Sequence, residues 1–229
     1  DLVRALALTK QAAALANFEL GQLDKTRTDA IIAACQEIAG GKLHEEFVVD
    51  VIQGGAGTST NMNANEVIAN IALEAMGHEK GEYQHLHPNN DVNMAQSTND
   101  AYPTAIRVGL LLGHDFLLTA LDKLIQSFAA KGLEFGHVLK MGRTQLQDAV
   151  PMTLGQEFRA FAVTLGEDLQ HLKMLAPALL TEVNLGGTAI GTGINADPAY
   201  QHLAVQRLAI ISGHPVKPAA DLIEATSDM

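Results

Sequence analysis

TLGQEFRAFAVTLGEDLQHLKML, residues 153–175, is the stretch whose reading decides the fold. Leu154, Phe158, Phe161, Leu165, Leu169, Leu172 and Leu175 recur in steps of three and four, which puts them on one continuous stripe of an α-helix. Thr153 and Gln156 stand three residues apart, as the two halves of a capping box must, so the helix is predicted to open there. Pro177 is expected to kink or end it.

Other helices follow on either side. Ser97-Thr98-Asn99-Asp100 precedes a long apolar segment, and this predicts a helix reaching about Lys131, with Pro103 tolerated in its first turn. Leu2 to Leu20 reads as an Ala/Leu-rich helix, and Thr28 to Ala39 as a second that stops at Gly40-Gly41. Asn63 and Glu66 read as an N-cap and its reciprocal Glu, opening a helix through about Met76. Pro198 to Ser212 reads as a final helix. The Gly54–Gly57 stretch, the polar segment from Gly77 to Asn93 and the run from Gly186 to Gly193 read as loops. No alternating run is long enough for a sizeable sheet. The expected fold is all-α, with a mainly helical N-terminal domain over 1–96 and the first part of a central helical bundle over 97–229. Two long helices with wide apolar faces need more partners than this chain supplies, and an intersubunit bundle is the natural solution.

Composition agrees. Hydrophobic residues make up 47% of the 229 residues but aromatics only 4%, with no Trp, so the core must be built from Ala, Leu, Ile and Val. The formal net charge of −11, with no Lys/Arg-rich run, argues against a nucleic-acid partner. The most apolar stretch, Ala105 to Leu121, contains Arg107, His114 and Asp115, which argues for a core helix rather than a membrane span. With one cysteine, Cys35, set among Ala33, Ala34 and Ile38, a disulfide framework is impossible and a buried hydrophobe is the expected role. No secretory pattern opens the sequence, and a cytoplasmic location is the default expectation.

Three segments carry dense small hydroxyl and amide side chains: Gly54 to Glu66, Gln96 to Asp100, and Gly142 to Asp148. Such donors suit a small carboxylate. Gly54 to Asn61 lacks the Gly-Lys-Ser/Thr ending of a phosphate loop, so a nucleotide site is rejected. Ser97, Thr98 and Asn99 offer two hydroxyls and an amide at a helix start, where the dipole favours negative charge; capping alone explains one of the three. Thr144 and Gln145 lie beside Arg143, and spacing alone allows a mere polar turn. Gly187 to Gly193 reads chiefly as a glycine turn needing positive φ. His85 and His87 form a His-x-His pair without a third ligand at a convincing spacing, and His44 and His78 each precede Glu; no metal site is expected. Asp148 and Glu157 read as isolated acids. There is no Ser-His-Asp ordering and no His-Glu-x-x-His.

Taken in order, Gly57-Thr58…Asn61-Met62-Asn63…Asn65-Glu66, His87-Pro88-Asn89…Asn93…Gln96-Ser97-Thr98-Asn99-Asp100, Gly142-Arg143-Thr144-Gln145-Leu146-Gln147-Asp148 and Gly186-Gly187-Thr188-Ala189 resemble the aspartase/fumarase superfamily. Thr98, where fumarases usually carry Ser, and Gln145, where they carry His, resemble the aspartate ammonia-lyase branch. So do Gln84 and Asn90, which replace the Arg and Asp of a second fumarase carboxylate site. The resemblance implies a cofactor-free homotetramer with a bundle core and active sites shared between subunits. It implies reversible elimination of ammonia from L-aspartate to give fumarate, with Thr58, Ser97, Thr98, Asn99 and Thr144 binding substrate and Gln145 nearby. The family's serine base sits in a Gly-Ser-Ser loop, and no Ser-Ser pair occurs here. The chain is therefore expected to lack segments at both ends, to carry no catalytic base before Met229, and to be inactive alone. Three alternatives remain open: a class II fumarase-type hydratase acting on malate, a non-catalytic helical assembly fragment, and a carboxylate-binding protein without chemistry.

Overall fold

A computed structural model describes residues 1–50, 52 and 55–227. The fold is all-α, as expected. The chain forms two compact units: residues 1–112 with the segment from Leu179 onward, and residues 113–178.

In the first unit the central element is α1 (Leu2–Glu19), which packs on α2 (Lys25–Ala39), α3 (Thr58–Ala75) and α6 (Tyr200–Ser212). One face of α1, carrying Leu6, Ala12, Ala13 and Ala16, meets Ala101, Ala105 and Val108 of α4 (Thr98–Glu134) and Tyr200, Val205 and Leu208 of α6. Ala7 and Ala14 face the other way, toward Ile31, Cys35 and Ile38 of α2 and Ile68, Ala72 and Leu73 of α3. A helix buried on two faces must be apolar nearly all round, and alanines let the neighbours approach closely. Cys35 is fully buried, and burial pushes its thiol up to about 12, so it is an inert hydrophobe.

Several boundaries differ from expectation, each for a local reason. α2 opens three residues earlier, at Lys25, because Asp24 caps it by accepting from the Arg27 amide at 3.0 Å. Asn63 and Glu66 do not start α3. The helix already begins at Thr58, after Gly57 turns the chain at φ +89° against the Tyr102 ring, and Asn63 Nδ2 donates to the Glu46 carbonyl instead. Gly54, expected in the same loop, lies outside the described residues. Pro177 does not stop α5 (Leu154–Leu179), which continues for two residues. The chain after α6 forms β4 (Lys217–Pro218), paired in parallel with β3 (Glu182–Val183), and then α7 (Leu222–Ser227).

The second unit holds the rest of α4, most of α5 and an antiparallel hairpin, β1 (Leu139–Thr144) and β2 (Gln147–Thr153). The capping box is present: the Thr153 amide donates to Gln156 Oε1 at 2.9 Å and the Gln156 amide to Thr153 Oγ1 at 3.1 Å. Phe128, Phe158 and Phe161 form a ring cluster, with centroids 5.6–6.2 Å apart. Much apolar surface stays uncovered, with Phe116 82%, Leu133 86% and Met174 63% exposed. Among the described residues α4 alone is long and apolar enough to cross a membrane. Yet Asp100 and Thr104 are buried within its first turns, and Arg107 is hydrogen-bonded to the Glu182 carbonyl.

Candidate functional site

The site grows from the start of α4. Ser97 precedes the helix, its amide donates to Asp100 Oδ1 at 2.8 Å, and its hydroxyl accepts from the Asn99 amide at 3.2 Å. Asp100 is buried, and its other oxygen accepts from the amides of Gly186 and Thr188, each at 3.0 Å. One carboxylate thus ties the helix start to the Gly186–Gly193 loop. Burial lifts the Asp100 carboxyl to about 6, although those three amides and Lys10 pull the other way. To offer its amide, Thr188 sits at φ +56°, a left-handed conformation rare for a β-branched residue. Gly186, at φ +98°, packs against Gln201 too closely for any side chain, so the glycine turn read from sequence is real but also holds the site.

Below this lies Lys10 of α1, fully buried. Its ammonium donates to Asn93 Oδ1 at 2.7 Å and Gln96 Oε1 at 2.9 Å. Burial lowers Lys10 to about 7, and the nearby Asp100 carboxylate offsets only part of that. Asn93 Oδ1 also accepts from Asn61 Nδ2 at 3.3 Å, and the same amide reaches Thr98 Oγ1 at 3.1 Å. A polar chain therefore runs from a buried amine to a hydroxyl at the helix start. Asn61 Oδ1 is buried and has no hydrogen-bond partner among the described residues.

These groups line a cavity of ≈ 360 Å³: Asn61, Asn93, Gln96, Ser97, Thr98 and Thr188, with Asn195 and three apolar residues completing the wall. None of the lining side chains is charged. The arrangement presents neutral hydroxyl donors at the positive end of a helix dipole together with an unpaired amide acceptor. That combination suits a small ligand carrying both carboxylate and ammonium groups.

Of the residues expected from sequence, Ser97 and Thr98 meet in this cavity. Asn99 points elsewhere: its Nδ2 donates to the Ala189 carbonyl at 2.7 Å, and it lines a second cavity of ≈ 460 Å³ with Ala56, Ile190 and Thr226. Thr58 is exposed in the first turn of α3, one turn before Asn61, with its hydroxyl on the Gly55 carbonyl at 2.8 Å. Thr144 and Gln145 belong to the second unit, where both are exposed. Gln145 and Leu146, at φ +48° and +64°, form the two-residue hairpin turn. Asp148 and Glu157 are not isolated: Arg143 Nε reaches Asp148 Oδ1 at 3.2 Å, and Lys140 Nζ reaches Glu157 Oε1 at 2.6 Å. Sequence reasoning missed Lys10 altogether, and quoted Asn93, Gln96 and Thr188 within the motifs without giving them a part in the site. The signal for Lys10 was Thr9-Lys10-Gln11, a polar triplet in the middle of a helix rich in Ala and Leu.

The chain matches the lyase family model over residues 1–229. It is 81% identical over 228 residues to an aspartate ammonia-lyase of Pseudomonas fluorescens, which covers 100% of this chain and 48% of that protein. It is 57% identical over 229 residues to the aspartate ammonia-lyase of Escherichia coli strain K12, again covering 48% of it. Among solved structures, fumarate lyase:delta crystallin from Brucella melitensis superposes with a TM-score of 0.87 at 61% identity, over 98% of this chain and 49% of the other. The class II fumarase of Schistosoma mansoni gives 0.83 at 34% identity, over 98% and 50%. The chain spans about half the length of the curated relatives it matches.

Proposed function

This chain belongs to the lyase family, and from that premise we propose that the protein removes ammonia reversibly from L-aspartate to give fumarate. The observation that carries the reading is the uncharged cavity at the start of α4, where the Ser97 and Thr98 hydroxyls stand beside the unpaired Asn61 Oδ1. The hydroxyls and the helix dipole bind a substrate carboxylate, and Asn61 Oδ1 accepts from the ammonium group. A serine base takes the Cβ proton, and the C–H electron pair moves into the adjacent carboxylate as a dianionic aci-carboxylate. That pair then forms the Cα=Cβ bond as the Cα–N bond breaks and ammonia leaves. The Cβ proton is weakly acidic, so rate depends on donors that bind most strongly where negative charge accumulates.

This sequence contains no Ser-Ser pair, so the base and its loop are assigned to a segment outside it, and these residues provide two of the three substrate-binding segments. Thr58, Asn99, Thr144 and Gln145 complete the substrate contacts when subunits assemble as a homotetramer. The exposed Phe116, Leu133 and Met174 support that assembly, because apolar faces of this kind are stable only when covered. The test is ultraviolet detection of fumarate from L-aspartate with protein expressed from the full reading frame. A second reading, hydration of fumarate to malate, draws on the likeness to the class II fumarase. A higher kcat/KM for malate than for aspartate would favour it.

A further inference from the structure

The segment between α3 and α4 brings together three side chains that the carboxylate cavity does not use. His78, Glu82 and His85 each place one ligand atom within 4.8 Å of the other two. The sequence paired His85 with His87. In the fold His87 is occupied otherwise, since its Nδ1 accepts from the Asn89 and Asn90 amides at 3.0 and 3.2 Å. His85 turns to His78, and the two rings stack with centroids 3.8 Å apart and planes 5° from parallel. Glu82 Oε2 lies 3.5 Å from His78 Nδ1.

The loop holding these groups is braced from several sides. The Glu79 amide donates to Glu82 Oε2 at 3.0 Å, and the Gly81 amide to Asn70 Oδ1 of α3 at 2.9 Å. Arg27 Nε of α2 donates to the His85 carbonyl at 2.7 Å, and the adjacent Leu86 is fully buried in the core. The three side chains are therefore held near one another by backbone that is already fixed, and an ion would not have to order the loop first.

We propose that His78, Glu82 and His85 form a binding site for a divalent first-row transition ion of the zinc class. Two imidazoles and a carboxylate are the donor set such ions select, whereas Mg²⁺ and Ca²⁺ favour oxygen-only shells. Donors on one Zn²⁺ at about 2.0–2.1 Å stand about 3.3 Å apart in a tetrahedron, so the two rings must rotate out of their stack for their in-plane lone pairs to meet on the ion. A shared ion would hold the two rings by one metal–nitrogen bond each. Water fills the remaining positions on the solvent side, where His85 is exposed. The ion pins the end of α3 to the turn leading into Pro88–Val92, the π-helical turn just before Asn93 of the cavity.

The test is calorimetric titration of the purified protein with ZnCl₂, alongside visible spectra with Co²⁺. The expected result is one Zn²⁺ per chain, Co²⁺ bands of a nitrogen-ligated ion, and a zinc-dependent rise in Tm. His85→Gln and Glu82→Gln should each weaken binding at least about tenfold and abolish the Tm rise. His171→Gln, an exposed histidine of the second unit, should change nothing. Equal zinc affinity in His85→Gln and the parent, loss of binding in His171→Gln, or response to Mg²⁺ alone would overturn the proposal.

Discussion

Replacing Lys10 by Met should flatten the pH dependence of stability above neutrality. Lys10 is fully buried, and its amine is held at about 7 in the fold against 10.5 for an exposed lysine. Between those values the unfolded chain carries a proton that the folded chain does not, so stability rises with pH across that window and is lost as pH falls toward 7. At about 1.4 kcal/mol per pH unit, and with the group half-titrated at the lower end, the gain from pH 7 to pH 9 is about 2 kcal/mol. Lys10→Met keeps the length of the side chain and removes the titration. It also strips a donor from Gln96 Oε1 and Asn93 Oδ1, which costs about 1–3 kcal/mol at every pH. Urea unfolding followed by circular dichroism, at one protein concentration and at pH 7 and 9, separates the two effects. The parent should gain about 2 kcal/mol more than the variant over this interval. Equal pH dependence in both proteins would refute the description of Lys10 as a buried, partly neutralised amine.

Three other substitutions test separate parts of the account. Thr98→Val removes the hydroxyl that accepts from Asn61 and faces the cavity, and kcat for fumarate formation should fall by about a hundredfold; unchanged kcat and KM would remove Thr98 from the site. Gly57→Ala forces a side chain into the Tyr102 ring at φ +89° and should cost about 2 kcal/mol or more, visible as a lower Tm. Thr153→Ala removes one half of the α5 capping box and should cost about 1 kcal/mol in chemical denaturation, with no effect on KM.

What was legible in the sequence was local. The Leu154–Leu175 stripe and the Thr153–Gln156 box report on one helix and its own start, and both are found. The β1–β2 hairpin was not foreseen because residues such as Lys140, Arg143, Gln147 and Asp148 are solvated; with neither face buried, no period-two pattern arises. Asn63 and Glu66 imitated a cap, but the signal that placed the helix start was Gly57, whose positive φ and close approach to the Tyr102 ring of α4 both exclude a side chain. The cavity was half-legible. Ser97 and Thr98 announced themselves as surplus hydroxyls at a helix start. Thr188 reaches the cavity wall, and Lys10 the polar network behind it, through pairings between residues 88 and 83 apart, Thr188 with Asp100 and Lys10 with Asn93, which no local pattern encodes. The glycine run at 186–193 was correctly read as a turn, and its second duty became visible only once its amides met Asp100.

The central claim is that these residues serve an elimination reaction on aspartate. It is tested most directly by adding L-aspartate to protein from the full reading frame and following fumarate by ultraviolet absorbance. A steady rise, lost with Thr98→Val, is the predicted result. A flat trace from a folded, assembled protein would contradict the account.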